Sequence, residues 1–211
     1  MLHPFAPAPR DVRADAFLGE IPLTLFNDHL YRCNELVDRY ALDHAGDPNL
    51  AETDRRVAKL YLEMFHGLEE GAEPAITTFP NEEHYSAMVI EKRIPFYSMC
   101  AHHLVPFYGH AHLAYIPSDS ILGLSKFSRI LEFYAKRPQL QERLTEQVAN
   151  YLQSKLAPQG VMVVIEARHL CVEMRGVKKP GAVTVTSALR GIFHQKPVRE
   201  EFLDLVRGGN D

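Results

Sequence analysis

Residues 107–119 read FYGHAHLAYIPSD, and the fold turns on them. Phe107, Gly109, Ala111, Leu113 and Tyr115 fall on one side of an extended chain; Tyr108, His110, His112 and Ala114 fall on the other. A period of two over this length predicts a strand. Ile116, Pro117, Ser118 and Asp119 make the turn that ends it. Upstream, residues 85–94 alternate well enough for a partner strand, which Pro95 is expected to perturb. Downstream the period lengthens. Ser125 is placed to cap a helix running to about Lys136, with Phe127, Ile130, Leu131 and Tyr134 inside. Pro138 separates it from a second helix marked by Leu140, Leu144, Val148, Tyr151, Leu152 and Leu156, which Pro158 and Gly160 close. Val161–Arg168 is short and β-branched, a strand. Residues 182–189 form a last strand, and Pro197–Val206 a terminal helix. The order strand–strand–helix–helix–strand–strand has no βαβ alternation. It predicts an α+β fold, an antiparallel sheet with a helix pair on one face.

The N-terminal part reads differently. Pro4, Pro7 and Pro9 forbid a regular helix early on, so residues 1–22 are expected to be a flexible tail. Residues 23–75 are expected to form a helical region and 76–211 the main domain. One amphipathic helix starts at Thr24 and carries Phe26, Leu30, Cys33, Val37 and Tyr40 on its stripe, with Cys33 as a core thiol. A second starts at Thr53 and buries Val57, Leu60, Tyr61, Met64 and Phe65. Arg56, Lys59 and Glu63 lie beside that stripe on the polar side, where solvent or a ligand would meet them.

Composition narrows the class of function. The 211 residues carry a formal charge of −4, which argues against nonspecific nucleic-acid binding. Two windows run against that balance. Residues 122–143 hold Lys126, Arg129, Lys136, Arg137 and Arg143 against Glu132 and Glu142; residues 168–179 hold Arg168, Arg175, Lys178 and Lys179 against Glu173. Local basic windows in an acidic protein suit a small polyanion. The longest apolar run, Val161–Ile165, is far short of a membrane span, and residues 1–10 lack an apolar leader core. Three widely spaced cysteines, Cys33, Cys100 and Cys171, do not suggest a disulfide framework. They suit reduced thiols in the cytoplasm.

The chemistry gathers around Cys100, His103 and Cys171. A Cys and a His three apart can hold one metal from a single turn, and a distant thiolate would complete a three-ligand set with an open position. His102 and His169 stand open as a fourth ligand or as a neutral-pH acid/base pair. If the strand from Val161 runs on through Cys171, His169 projects beside its sulfur. His110 and His112 share a strand face, but no Cys or carboxylate is obviously placed to join them. Gln141 and Glu142 lie on the helix after Pro138. A carboxylate there can accept two hydrogen bonds from an N–H/NH₂ edge such as that of guanine, and it would reject adenine. Ser125 and Lys126 open a helix, where phosphate binds readily, and Arg129 shares the face of Lys126. No GxxxxGK[ST] loop is present.

Taken together, Ser98-Met-Cys-Ala-His-His-Leu-Val-Pro-Phe, Gly123-Leu-Ser-Lys, Arg137-Pro-Gln-Leu-Gln-Glu-Arg-Leu, His169-Leu-Cys-Val and Met174-Arg-Gly-Val closely resemble GTP cyclohydrolase I, in that family's order and spacing. The resemblance runs from about Asp47 to Arg207. It implies a tunnelling fold, with sheets from several subunits joined into a homodecamer whose active sites lie at subunit interfaces. It implies Zn²⁺ on Cys100, His103 and Cys171, and catalytic roles for His102 and His169. Gln141 and Glu142 match the guanine-recognising pair. Ser125, Lys126, Arg129 and Arg175 match groups around the triphosphate of GTP, to which Arg56 and Lys59 would add from a neighbouring subunit. The implied reaction opens the guanine imidazole ring, releases formate and rearranges the rest to 7,8-dihydroneopterin triphosphate. One residue departs from the pattern: Ala101 stands where the family usually has Glu. Its expected effect is on rate or pH optimum. The alternative it leaves is a non-catalytic zinc-binding or regulatory homologue. Neither a membrane nor a nucleic acid is an expected partner.

Overall fold

A computed structural model describes residues 48–49 and 53–208. The expected tail and the helix carrying Cys33 lie outside the described residues. The chain divides into two compact units between Tyr61 and Leu62. In the first, a turn at Pro48 and Asn49 precedes helix α1, Thr53–Met64, which continues into the second unit.

The second unit is built on β1 (Thr78–Pro80), β2 (Val89–Cys100), β3 (Pro106–Ile116), β4 (Ser120–Leu122), α2 (Ser125–Ala135), β5 (Pro138–Gln139), α3 (Gln141–Leu156), β6 (Gly160–His169), the short helical turn α4 (Leu170–Glu173), β7 (Val183–Gly191) and α5 (Lys196–Arg207). The main sheet runs β5-β2-β3-β6-β7, and β1 pairs with β4 apart from it. All the long strands are antiparallel neighbours; only the two-residue β5 pairs in parallel, with Met99 and Cys100. The order β2-β3-α2-α3-β6-β7 is the strand–strand–helix–helix–strand–strand predicted for an α+β fold.

The helix pair covers one sheet face. Phe127, Ile130 and Leu131 of α2 and Leu144, Val148 and Leu152 of α3 pack against Phe107, Ala111, Leu113 and Tyr115 of β3 and Val161, Val163 and Ile165 of β6. The side of β3 facing the helices is the one its alternation indicates. Part of the opposite face is also buried, under Phe193 and Phe202, against Ala114, Ile116, Met162 and Val164. Tyr115 is fully buried, and its hydroxyl accepts the Leu122 N–H at 2.8 Å. Tyr115→Phe would leave that buried donor without its partner. The expected cost is about 1–3 kcal/mol, read as a lower denaturation midpoint; an unchanged midpoint would refute it.

Three local expectations are corrected. β2 does not end near Pro95 but runs on to Cys100. A register shift between Glu91 and Ile94, with Arg93 at φ 61°, re-aims the strand before the proline. Pro95 is tolerated because β2 has a strand on its outer edge only at Met99 and Cys100. Ser125 does not cap α2: it is the first helical residue, and Leu124 precedes it without a side-chain cap. β6 does not continue through Cys171; it stops at His169, and Cys171 sits on α4. Among the described residues, no helix is long and apolar enough to cross a membrane.

Candidate functional site

β2 delivers Cys100 to the rim of the sheet and then turns back at once. The N–H of Cys100 bonds to the Val105 carbonyl at 2.9 Å, and the Cys100 carbonyl accepts the Leu104 N–H at 2.8 Å. Leu104 takes a left-handed conformation, φ 49°, to close the turn. The tight loop puts His103 over its own strand end, with Nδ1 3.7 Å from Cys100 Sγ. Ala101 is anchored by its N–H to the Gln139 carbonyl at 2.8 Å, and its side chain is exposed.

Cys171 arrives from α4. One donor atom from each of Cys100, His103 and Cys171 lies within 4.8 Å of the others. Zinc bound by two thiolates at about 2.3 Å and one imidazole at about 2.0 Å would separate tetrahedral donors by roughly 3.5–3.8 Å. A small contraction of this cluster therefore suffices, and the donor set fits the metal. Cys100 is buried, Cys171 half-buried and His103 exposed, which leaves a solvent-facing side for a fourth ligand. Burial pushes the Cys171 thiol up, and the nearby Cys100 sulfur adds to it. Two sulfurs held this close want a cation between them. The positive charge of Arg175 acts on Cys171 in the opposite, lowering sense.

His169 ends β6 directly opposite Phe107 of β3, and the two rings stack at 4.7 Å and 4°. Its Nε2 is 2.7 Å from Gln141 Oε1. Burial pushes the imidazole below its usual range, against the attraction of the Glu142 carboxylate. Gln141 is 2% exposed. Glu142 is exposed one residue on, in the first turn of α3. His102 is exposed, its ring edge-on to His103 at 6.0 Å.

The remaining candidate residues are placed by their elements. Ser125 and Lys126 open α2, and Arg129 is exposed one turn later. Arg175 is exposed after α4. Arg56 and Lys59 are exposed on α1, in the first unit. His110 and His112 join no metal-ligating cluster among the described residues; they border a cavity of about 490 Å³ with Arg93, Glu166, Val206 and Arg207.

Several participants escape a sequence reading. Thr186 of β7 accepts from Gln141 Nε2 at 3.1 Å, and Thr145 stands 2.7 Å from Thr186. Phe107 reads as an ordinary core residue, although it also stacks on His169. Glu173 accepts both nitrogens of Arg168, at 2.7 and 2.6 Å, tying α4 back to β6. The same pair holds the Glu173 carboxyl below its usual range. Only the alternation of β7 could have signalled Thr186, and it cannot say which helix lies above.

The chain is similar in sequence to known proteins over most of its length. The family model described as GTP cyclohydrolase I matches residues 34–207. "GTP cyclohydrolase 1" of Lysinibacillus sphaericus (strain C3-41) is 55% identical over 160 residues, 75% of this chain and 84% of that protein. "GTP cyclohydrolase 1" of Geobacillus sp. (strain WCH70) is 52% identical over 184 residues, 84% of this chain and 97% of that protein. Among solved structures, an archaeosine synthase QueF-Like in the apo form aligns at a TM-score of 0.40 and 20% identity, over 49% of this chain and 93% of that one, too loosely to carry an argument. Matched over most of its length by the family model, and by relatives at more than half identity, the chain belongs to the GTP cyclohydrolase I family.

Proposed function

We propose that the protein opens the guanine imidazole ring of GTP by hydrolysis, releases formate and yields 7,8-dihydroneopterin triphosphate. The observation that carries this reading is the convergence of Cys100, His103 and Cys171 on one point, with two further histidines flanking them in sequence. Zinc bound there supplies Lewis acidity, which makes water a nucleophile near neutral pH. Glu142, exposed at the start of α3, accepts the N–H/NH₂ edge of the base. Ser125, Lys126, Arg129 and Arg175 hold the triphosphate, with Arg56 and Lys59 supplied by a neighbouring subunit. This anchoring sets C8 of the base against the reactive centre and converts binding energy into orientation. His169 and His102 move the protons at the ring nitrogen and the opened ribose. The triphosphate itself is untouched.

The same reading makes the enzyme a homo-oligomer, a decamer with sites between subunits. Supporting it, the edge of β2 from Val89 to Ser98 and the far edge of β7 carry no neighbouring strand among the described residues. Tyr97, Val183 and Val185 on those edge strands are exposed. Open edges of this length invite pairing with another chain. The free thiols of Cys100 and Cys171 support a cytoplasmic setting.

The test is formate release from GTP by the purified protein, with and without a chelator. Formate should appear, stop on chelation and return with zinc. His169→Ala should lower it by about 10²-fold or more. A folded, zinc-loaded protein that releases no formate would overturn the reading in favour of a non-catalytic zinc-binding homologue, with Ala101 as the first residue to restore to Glu.

A further inference from the structure

The side chain of Gln141 has no freedom left. Its amide nitrogen lies 3.0 Å from the Ile165 carbonyl, 3.0 Å from the Thr184 carbonyl and 3.1 Å from Thr186 Oγ1. Main-chain carbonyls cannot donate, so the NH₂ group must face them. The amide oxygen therefore points the other way, at His169 Nε2, 2.7 Å off. An amide oxygen cannot donate either. The proton in that contact belongs to His169 Nε2.

The surrounding hydroxyls are directional in the same sense. Thr145 Oγ1 donates to the main-chain carbonyl of Gln141 at 2.7 Å. Its other contact, 2.7 Å to Thr186 Oγ1, must then be one it accepts. Thr186 thus spends its own proton on Thr145 and keeps its lone pair for Gln141 Nε2. Phe107, stacked on the imidazole, fixes the plane of the ring. At 2% exposure Gln141 is closed to water that could offer its own amide another partner.

We propose that Gln141 is a positioning residue: through Oε1 it locks the proton of His169 on Nε2, with Thr186 and the carbonyls of Ile165 and Thr184 locking Gln141 in turn. Its side chain does not read the guanine base; that task falls to Glu142. A neutral imidazole has one N–H, so Nδ1 of His169 presents a lone pair. The kinetic half of this inference rests on the function proposed above, whereas the proton's position does not.

The experiment begins with the zinc-loaded wild-type protein carrying isotope-labelled histidine. The nuclear magnetic resonance signals of His169, assigned by their loss in His169→Ala, should show the Nε2-protonated ring. The Nδ1-protonated tautomer would overturn the proposal, whatever the enzyme turns over. Two variants follow. Gln141→Met keeps length but offers no acceptor. It should lower kcat by about 10- to 100-fold and change the GTP KM by less than about threefold. Gln141→Glu keeps the Oε1 acceptor and, with its other oxygen protonated to donate where the NH₂ group did, should recover part of the lost kcat. A KM raised by about tenfold or more with kcat kept would make Gln141 a base contact and refute the idea. If Gln141→Met fails to fold, the wild-type tautomer and Gln141→Glu still decide.

Discussion

Cys171→Ala should empty the metal centre and lower formate release by about 10³-fold or more. Of the three ligands it gives the cleanest test. Cys100 is 6% exposed and belongs to the core beneath the helix pair, so its removal would mix metal loss with a packing defect. His103 stands on the turn that Leu104 closes, with Nδ1 3.7 Å from the Cys100 sulfur, so its removal would also take a partner from that thiol. Cys171 is half-buried on α4, which Arg168 and Glu173 anchor independently. Losing its sulfur should cost the fold only about 1 kcal/mol. The purified variant should keep the parent's secondary structure and assembly while its zinc falls from about one per chain to a small fraction. A variant that retained both zinc and turnover would mean that the third ligand is another residue. His169 could fill that place through Nδ1 while its Nε2 stays bonded to Gln141.

How much of this was legible beforehand differs between local and long-range features. The strand of residues 107–116 and the two helices after it were readable because each buries one face, and burial imposes a period. Cys100 and His103 were readable because three residues are one turn. Cys171 does converge with Cys100 and His103, but from another element than the expected strand. Leu170–Glu173 is too short for any period, and its turn depends on the Arg168–Glu173 pair. The strand through Pro95 was hidden because proline normally ends strands, and only tertiary pairing reveals that the outer edge of β2 is open there. Gln141 is the sharpest case. Its type and place beside Glu142 suggest a base contact. Its actual partners, Thr184 and Thr186, lie more than 40 residues away on β7. No local pattern in α3 could name them.

Gly109→Ala should be the most damaging single substitution in the sheet. Gly109 of β3 faces Ala167 of β6. A methyl group there would lie 1.9 Å from the Glu166 carbonyl oxygen, 2.8 Å from Ala167 Cα and 2.9 Å from the Glu166 carbonyl carbon. All three are backbone atoms, so no side-chain rotation can make room. β3 and β6 would have to part by more than an ångström, and their ladder hydrogen bonds would stretch or break. A cost of about 3 kcal/mol or more follows, at the upper end for overpacking. The same pair of strands aligns Phe107 with His169, two residues further along each. Any spreading at Gly109 is therefore transmitted to the stacked rings and to the Gln141 contact. The expected result is a large fall in denaturation midpoint and, in whatever protein folds, formate release reduced well beyond the loss of folded enzyme. Gly123→Ala is the control for stability: its nearest neighbour would be the Thr77 carbonyl oxygen at 3.4 Å, an ordinary contact, and it should cost less than about 1 kcal/mol. Equal midpoints for the two variants would show that β3 and β6 can separate locally at little cost. The alignment of His169 would then have to come from Gln141 and its strand partners alone.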